Sequence, residues 1–303
     1  MNGPVQVATD GACLGNPGPG GWAWTIGLTD ASGGQYVTTN QEMELRAILE
    51  ALRAHPDQAI VILTDSQYAI DCVTTWLPEW QRRGWRTSAR RPVKHQPIIK
   101  AIAAEQDRRT VQLVKVPGHA GHPLNERADR LAAAAAAQAA LTVQQLEAGP
   151  LHRFGDWPND QVPKRAAGVY SVWDGDRIMY VGMSGRAMTA EDLEVSPTGR
   201  VVAKGLWTRL NAHASGRRSG DQFCVDVCDR FVVPALTPSQ QHQLAAGGPS
   251  LDDLTRGFIR DQLAYRFVVT ADGTEAARLE VEVRRGALSI GRPYLNPLEP
   301  PWS

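Results

Sequence analysis

The pattern of apolar residues predicts an α/β protein of two domains, the first built on a mixed five-stranded sheet with flanking helices. The chain has 303 residues, of which 43% are hydrophobic, so two ordinary cores can form. Strand-like apolar runs alternate with helical patterns, and this alternation is lost between residues 142 and 166. We therefore expect one domain at 1–141, a linker at 142–166 and a second, small α/β domain at 167–303.

The first domain is expected to follow the order β-β-β-α-β-α-α-β-α. Asn40 is a suitable N-cap for the fourth element, and the apolar run at 59–65 is typical of a buried central strand. The last helix runs from Pro123 into six alanines, which favour helix. The remaining elements are expected as strands at 4–9, 21–28, 33–39 and 111–116, and helices from Ser66 and at about 95–107.

The second domain is predicted to begin with a β-hairpin at 168–182, whose turn contains Asp174 and Gly175. A two-residue turn would place Tyr170 and Tyr180 on opposite faces of the hairpin, whereas a three-residue turn would place them opposite each other. Helices are expected near 203–215, 250–262 and 273–285, with a strand at YRFVVT. The segment DQFCVDVCDRFVV favours a helix, on which Cys224 and Cys228 would be two buried thiols.

Composition narrows the class of protein. No apolar run is long enough for a bilayer span, the N-terminal residues lack a secretory pattern, and four cysteines do not make a disulfide framework. We therefore expect a soluble, reduced, cytoplasmic monomer with no membrane partner.

The formal net charge is zero, yet basic residues are concentrated in two windows without acids. These windows, 80–104 and 195–220, predict contacts with phosphate groups. The first contains Arg82, Arg83, Arg86, Arg90, Arg91, Lys94 and Lys100, and the second contains Arg200, Lys204, Arg209, Arg217 and Arg218.

Four carboxylates in the first half occur at strand ends or near helix starts: Asp10, Glu44, Asp65 and Asp129. If the fold brings them together, their mutual repulsion raises some of their pKa values unless cations bind. Mg²⁺ suits such a cage of oxygen ligands, and two ions can support phosphodiester hydrolysis.

Residues 1 to about 142 resemble ribonuclease H type 1. Five segments carry the resemblance in that family's order: TDGACLGNPGPGGWA, TTNQEMEL, TDSQYAI, WQRRGWRTSARRPVK and VPGHAGHPLNERADRLA. The resemblance implies that the four acids hold two Mg²⁺ ions, with Mn²⁺ as the expected substitute. It also implies that His119, or alternatively His122, assists proton transfer or product release.

The same resemblance implies endonucleolytic hydrolysis of the RNA strand of RNA–DNA hybrids. The basic segment 82–94, with Trp80 and Trp85 interleaved, resembles the family's substrate-binding protrusion. The residues expected to contact the hybrid are Cys13, Asn16, Asn40, Gln67, Arg82, Arg83, Trp85 and Arg86.

The second half resembles the GIY-YIG endonucleases in the motifs GVY and YVG, in the helix LWTRLNAH, in EAARLEVEV and in GRPYLNPL. The resemblance implies Mg²⁺-dependent cleavage of DNA. Glu280 is the expected ligand of one ion, with Glu282 and Glu275 as alternatives, and Arg209 would stabilise the phosphoryl transition state.

A tyrosine whose pKa is lowered by nearby cations would be the general base in this second domain, and Tyr170 and Tyr180 both remain candidates. His213 and Asn296 are expected to bind substrate. The alternative hypothesis is a ribonuclease H whose second domain binds nucleic acid without cutting it.

Overall fold

The structure is a computed structural model that describes residues 3–118, 121–189, 191 and 203–299. Two residues singled out from the sequence, His119 and Arg200, lie outside the described residues. The chain divides into two compact units, Met1–Leu141 and Thr142–Ser303.

The first unit contains a mixed five-stranded sheet with the strand order β3-β2-β1-β4-β5. The first three strands form an antiparallel meander, while β4 and β5 continue the sheet in parallel from β1. The prediction of a mixed five-stranded sheet is therefore confirmed. The strands are β1 (Val5–Cys13), β2 (Gly18–Thr25), β3 (Asp30–Thr38), β4 (Ile60–Thr64) and β5 (Val111–Lys115).

Helices flank this sheet. They are α1 (Asn40–Ala54), α2 (Gln67–Val73), α3 (Leu77–Arg82), α4 (Gln96–Gln106) and α5 (Pro123–Ala148). The N-cap of α1 is Thr39 and not Asn40, because the Thr39 hydroxyl accepts a hydrogen bond from the backbone N–H of Glu42. Asn40 is thereby left free to turn its side chain towards Glu44.

Helix α1 packs very closely on β1 at Gly11. A β-carbon at Gly11 would collide with the backbone of Met43 and Glu44, so only glycine permits this approach. Leu45 and Ile48 on α1 are fully buried beneath the sheet. The close contact at Gly11 determines how near Glu44 comes to the end of β1.

The second unit contains a four-stranded antiparallel sheet in the order β6-β11-β8-β9 and a short parallel pair, β10 with β7. The strands are β6 (His152–Arg153), β7 (Arg165–Ala166), β8 (Gly168–Asp174), β9 (Arg177–Ser184), β10 (Lys204–Gly205) and β11 (Leu263–Val269). The helices are α6 (Leu206–Ser215), α7 (Gln222–Val227), α8 (Pro238–Ala245), α9 (Leu251–Gln262) and α10 (Gly273–Arg285). A π-helical turn (Cys228–Val232) extends α7, and Cys224 and Cys228 are buried free thiols.

The hairpin β8–β9 follows neither of the two predicted registers. Asp174 pairs with Arg177 across a two-residue turn, but a bulge at Met179 then shifts the ladder, so that Val172 pairs with Tyr180 and Tyr170 with Gly182. Because the bulge adds one residue, Tyr170 and Tyr180 point to the same face, with ring centroids 6.4 Å apart.

The segment 142–166, expected as a linker, belongs to the second unit. Phe154, Trp157 and Val162 are buried in its core, and the Trp157 indole donates a hydrogen bond to Asn211. The loss of apolar periodicity predicted a linker, but these few large apolar side chains are enough to anchor the segment in the core of the second unit. Within the described ranges, no helix is both long and apolar enough to cross a bilayer.

Candidate active sites in the two units

The first site lies where β1 and β4 run side by side. Ala8 pairs with Leu63, so Asp10, near the end of β1, and Asp65, directly after β4, leave the sheet at the same edge. Glu44 approaches from α1, and carboxylate oxygens of these three residues all lie within 4.8 Å of one another. Asp129, on α5, lies close enough to Asp10 that its charge helps to raise the pKa of Asp10. The structure therefore brings all four predicted acids together.

Burial and repulsion by neighbouring charges act in the same direction on the pKa values of Asp10 and Glu44. Burial, then the charge of Asp65, raises the pKa of Asp10 to about 7. Burial, then the charge of Asp10, raises the pKa of Glu44 well above its usual value. One oxygen of Glu44, Oε2, is buried and lacks a hydrogen-bond partner among the described residues. An orphaned carboxylate oxygen inside an acidic cluster fits a site for divalent cations.

The residues expected to contact the hybrid differ in whether they already have hydrogen-bond partners within the protein. The Cys13 thiol donates to the carbonyl oxygens of Gly18 and Thr38, and Asn16 is exposed in the turn between β1 and β2. The Gln67 amide already accepts from Lys115 and donates to Asp71. Asn40 points into the acidic cluster, 3.4 Å from Glu44. His122 has a buried Nδ1 without a partner among the described residues.

The basic segment is a folded protrusion. Arg82 and Arg83 both pair with Glu79 on α3, and Arg86 donates to the carbonyl oxygen of Arg90 at 2.9 Å. Trp85 packs partly against the core, with the Lys100 ammonium 4.8 Å from its ring. The segment therefore presents guanidinium groups, while Trp85 contributes mainly to packing.

The second site is a cavity of about 410 Å³ in the second unit. Its lining includes Tyr170, Tyr180, Arg209 and Glu280, four residues that the sequence predicted for one site. Burial raises the pKa of Glu280. The positive charges of Arg284 and Arg186 lower it, but they offset only part of the effect of burial, so the pKa remains raised. Glu280 and Asp221 are the two carboxylates in the lining, and Oδ2 of Asp221 is bonded to His213, so Glu280 is the donor that fits one Mg²⁺ ion carrying waters.

The two tyrosine hydroxyls are both desolvated. Burial raises the pKa of both hydroxyls, and the opposing charge of Arg209 does not compensate. Arg209 therefore does not lower either pKa by itself, and a tyrosine whose pKa is lowered by cations stays a prediction.

Tyr170 instead has a proton acceptor next to it. Its hydroxyl lies 2.6 Å from Nε2 of His213, whose Nδ1 lies 2.6 Å from Oδ2 of Asp221. The predicted role of His213 in substrate binding does not agree with this position, since its side chain is 1% exposed between two partners. Asp221 was missed because an aspartate that caps a helix has no other signal in the sequence.

Two other predicted residues are placed by their hydrogen bonds. The Asn296 amide accepts from the backbone N–H of Val181 and donates to its carbonyl oxygen, so Asn296 holds β9 and does not line the cavity. Of the alternatives to Glu280, Glu275 accepts from the backbone N–H of Ala271, and Glu282 lies 3.4 Å from Arg285. Arg186, which the sequence did not single out, also lines the cavity.

Comparisons with known proteins define the class of enzyme. The RNase H family profile matches residues 2–137. The ribonuclease H of Treponema pallidum subsp. pallidum is 43% identical over 156 residues, covering 45% of this chain and 92% of the relative. That of Agrobacterium fabrum is 49% identical over 133 residues, covering 42% of this chain and 91% of the relative. Such matches identify a hydrolase and an endonuclease.

The chain belongs to the ribonuclease H family. Among solved structures, LC9-RNase H1, a type 1 RNase H with the type 2 active-site motif, is 31% identical with a TM-score of 0.40, covering 46% of this chain and 74% of its own. A foamy viral protease-reverse transcriptase in complex with dsDNA is 24% identical with a TM-score of 0.39, covering 44% and 94%.

Proposed function

We propose that the first unit hydrolyses the RNA strand of RNA–DNA hybrids at the site formed by Asp10, Glu44, Asp65 and Asp129, and that it requires two Mg²⁺ ions. The observation that carries this proposal is the convergence of carboxylate oxygens of Asp10, Glu44 and Asp65 within 4.8 Å, with the buried Oε2 of Glu44 unpartnered among the described residues. Bound divalent cations would activate water and stabilise the leaving oxygen of a phosphodiester.

The residues around this site supply binding and orientation. Asn40 donates to Glu44 and so directs one of its oxygens. The guanidinium groups of Arg82, Arg83 and Arg86 would hold phosphates of the hybrid, and the affinity would then fall as salt concentration rises. We assign this activity to a domain at 1–141.

The test compares wild-type protein, Asp65→Asn and Asp57→Asn on a labelled hybrid. Asp57 is an exposed carboxylate in the loop before β4, so it controls for the change from acid to amide. We expect Asp65→Asn to lose Mg²⁺-dependent cleavage and Asp57→Asn to retain it. Equal rates in all three proteins would refute the proposed site.

For the second unit we propose a Mg²⁺-dependent DNA endonuclease of the GIY-YIG type. The supporting observation is one cavity that is lined by Tyr170, Tyr180, Arg209 and Glu280. Glu280 would hold the ion, while Arg209 would face the negative charge that develops on phosphorus.

The second activity is best measured in Asp65→Asn protein, where the first site is disabled. Linear, branched and damaged DNA are the substrates, and Glu280→Gln is compared with Glu282→Gln on the same helix. We expect Glu280→Gln alone to abolish cleavage. If Asp65→Asn protein binds these DNAs but cuts none of them, the second unit is a binding module.

A further inference from the structure

A buried chain of hydrogen bonds connects the second cavity to the start of α7. It runs from the Tyr170 hydroxyl through the His213 imidazole to the Asp221 carboxylate, with both links at 2.6 Å. The three residues are between 1% and 5% exposed. Burial strengthens such hydrogen bonds and excludes competing water.

Asp221 is rigidly held. Its Oδ1 caps α7 by accepting the backbone N–H of Phe223 at 3.1 Å and, more weakly, that of Cys224 at 3.5 Å. Only Oδ2 is therefore directed at Nδ1 of His213. The orientation of the carboxylate follows from the helix cap and not from the imidazole.

The protonation of the chain follows from its surroundings. Burial acts to raise the pKa of Asp221, yet the hydrogen bonds that it accepts, first from His213 and then from the backbone of Cys224, prevail and the pKa is lowered. Burial lowers the pKa of His213. A neutral imidazole beside an ionised carboxylate carries its proton on Nδ1, which leaves Nε2 as an acceptor. The Tyr170 hydroxyl must then be the donor.

Tyr180 has a different environment. Its ring contacts Tyr170, His213 and Phe223, but among the described residues its hydroxyl has no hydrogen bond of this kind. Both tyrosines line the cavity, and Tyr170 alone combines this position with an adjacent proton acceptor.

We propose that Asp221 is a positioning residue that holds His213 in the Nδ1–H tautomer, and that Tyr170 rather than Tyr180 is the general base of the second site. This inference rests on the proposed DNA endonuclease function. In the reaction, the Tyr170 proton passes to Nε2 of His213, and the phenolate takes a proton from water. The water oxygen bonds to phosphorus as the bond to the leaving oxygen breaks. The leaving oxygen takes a proton from solvent, and His213 returns its proton to solvent.

The tautomer can be measured without any cleavage assay. In Asp221→Asn, Oδ1 would remain bound to the Phe223 N–H, so the amide NH₂ group would face Nδ1 of His213. An NH₂ donor at that point selects the Nε2–H tautomer and turns Tyr170 from donor to acceptor. Because the helix cap is preserved, the variant is expected to fold.

The experiment uses full-length Asp65→Asn protein with ¹⁵N-labelled histidine, and His213→Gln identifies the signal among seven histidines. We expect a protonated Nδ1 and an unprotonated Nε2 at His213, and the reverse in Asp221→Asn. The control is Asp229→Asn, an exposed aspartate in the following turn. A protonated Nε2 in the parent, or an unchanged tautomer in Asp221→Asn, would overturn the role of Asp221.

Cleavage kinetics in the same background test the base. We expect Asp221→Asn to lower kcat by about 10³- to 10⁴-fold with little change in KM. Tyr170→Phe should abolish cleavage, and Tyr180→Phe should retain more activity; the opposite ranking would overturn the assignment of Tyr170. If the parent cuts no DNA, the nuclease proposal and the general base both fail, while the tautomer measurement still decides the role of Asp221.

Discussion

The hydroxyl of Tyr170 lies directly over the backbone of Gly182, its cross-strand partner, in the space that a β-carbon would occupy. This relationship explains why a glycine stands two residues after Tyr180. Without a side chain at position 182, the Tyr170 ring can extend across β9 and reach His213.

We predict that Gly182→Ala displaces Tyr170 from His213. The added methyl group would collide with the hydroxyl, and forced packing of this kind typically costs about 1–3 kcal/mol of unfolding free energy. Urea denaturation measures the loss. Gly257→Ala, in the interior of α9 with open space around its β-carbon, is the matched control and should not destabilise the protein. Equal stability of the two variants would show that Tyr170 can move away from the added methyl group without lowering the unfolding free energy.

A similar close approach occurs at Gly11, where α1 meets β1. We predict that Gly11→Ala lowers the unfolding free energy by about 3 kcal/mol, because its β-carbon would meet backbone atoms that cannot rotate away. Hybrid cleavage should fall with it, since Glu44 is moved away from Asp10. The control is Gly3→Ala, which has open space, and hybrid cleavage at the wild-type rate in Gly11→Ala would contradict this account.

The acidic cluster predicts a pH-dependent stability. The folded-state pKa of Asp10 is about 7, above its usual 3.8, so the ionised form opposes folding. Metal-free protein should therefore lose stability as pH rises from about 4 to about 7. Mg²⁺ should raise Tm at pH 8 by about 5 °C or more, and much less at pH 5.

Thermal unfolding with chelator and with Mg²⁺ measures this effect. Asp10→Asn should be more stable than wild type at pH 8 without metal, and Asp57→Asn should match wild type. A metal-free Tm that rises between pH 5 and pH 8 in wild type but not in Asp10→Asn would contradict the proposed repulsion.

Asn296 is predicted to be a structural residue. Asn296→Ala removes two hydrogen bonds to Val181 and should destabilise the protein by about 1–3 kcal/mol. Asn296→Asp keeps the acceptor and loses the donor, so its stability should be intermediate. Urea denaturation ranks the three proteins, and a stable Asn296→Ala with impaired DNA binding would instead support direct contact with substrate.

Salt dependence tests the basic protrusion. Arg91→Ala should weaken hybrid binding and reduce the slope of log affinity against log salt by about 1. Arg108→Ala, an exposed arginine that lies 3.6 Å from Glu105 at the end of α4, should leave that slope unchanged. Identical slopes in the two variants would place the phosphate contacts elsewhere.

Several features of the sequence were sufficient to predict secondary-structure elements of the first unit. The apolar run before Asp65 and the helical pattern after Asn40 predicted β4 and α1, because both elements bury one continuous apolar set. The strand boundaries were less well predicted: β1 continues to Cys13 and not to residue 9, since its end pairs with glycines of β2.

In the second unit, local sequence patterns were insufficient to predict the register of the β8–β9 hairpin. The dipeptide Asp174–Gly175 indicated a turn, but the bulge at Met179 depends on residues from the other end of the unit. The backbone N–H groups of Tyr294 and Leu295 bond the carbonyl oxygens of Ile178 and Met179, and Asn296 holds Val181 across 115 residues of chain.

By itself, the sequence determined the four acids, the mixed sheet that carries them and the set of residues around the second cavity. The acids and the sheet follow from side-chain chemistry and from periodicities that act over a few residues, whereas the residues of the second cavity are those that the GIY-YIG resemblance implies. Only the tertiary structure decided that Tyr170 faces Gly182 and that Asp221 stands behind His213. Such contacts depend on strand register and on helix packing between segments distant in the chain, and no local pattern contains that information.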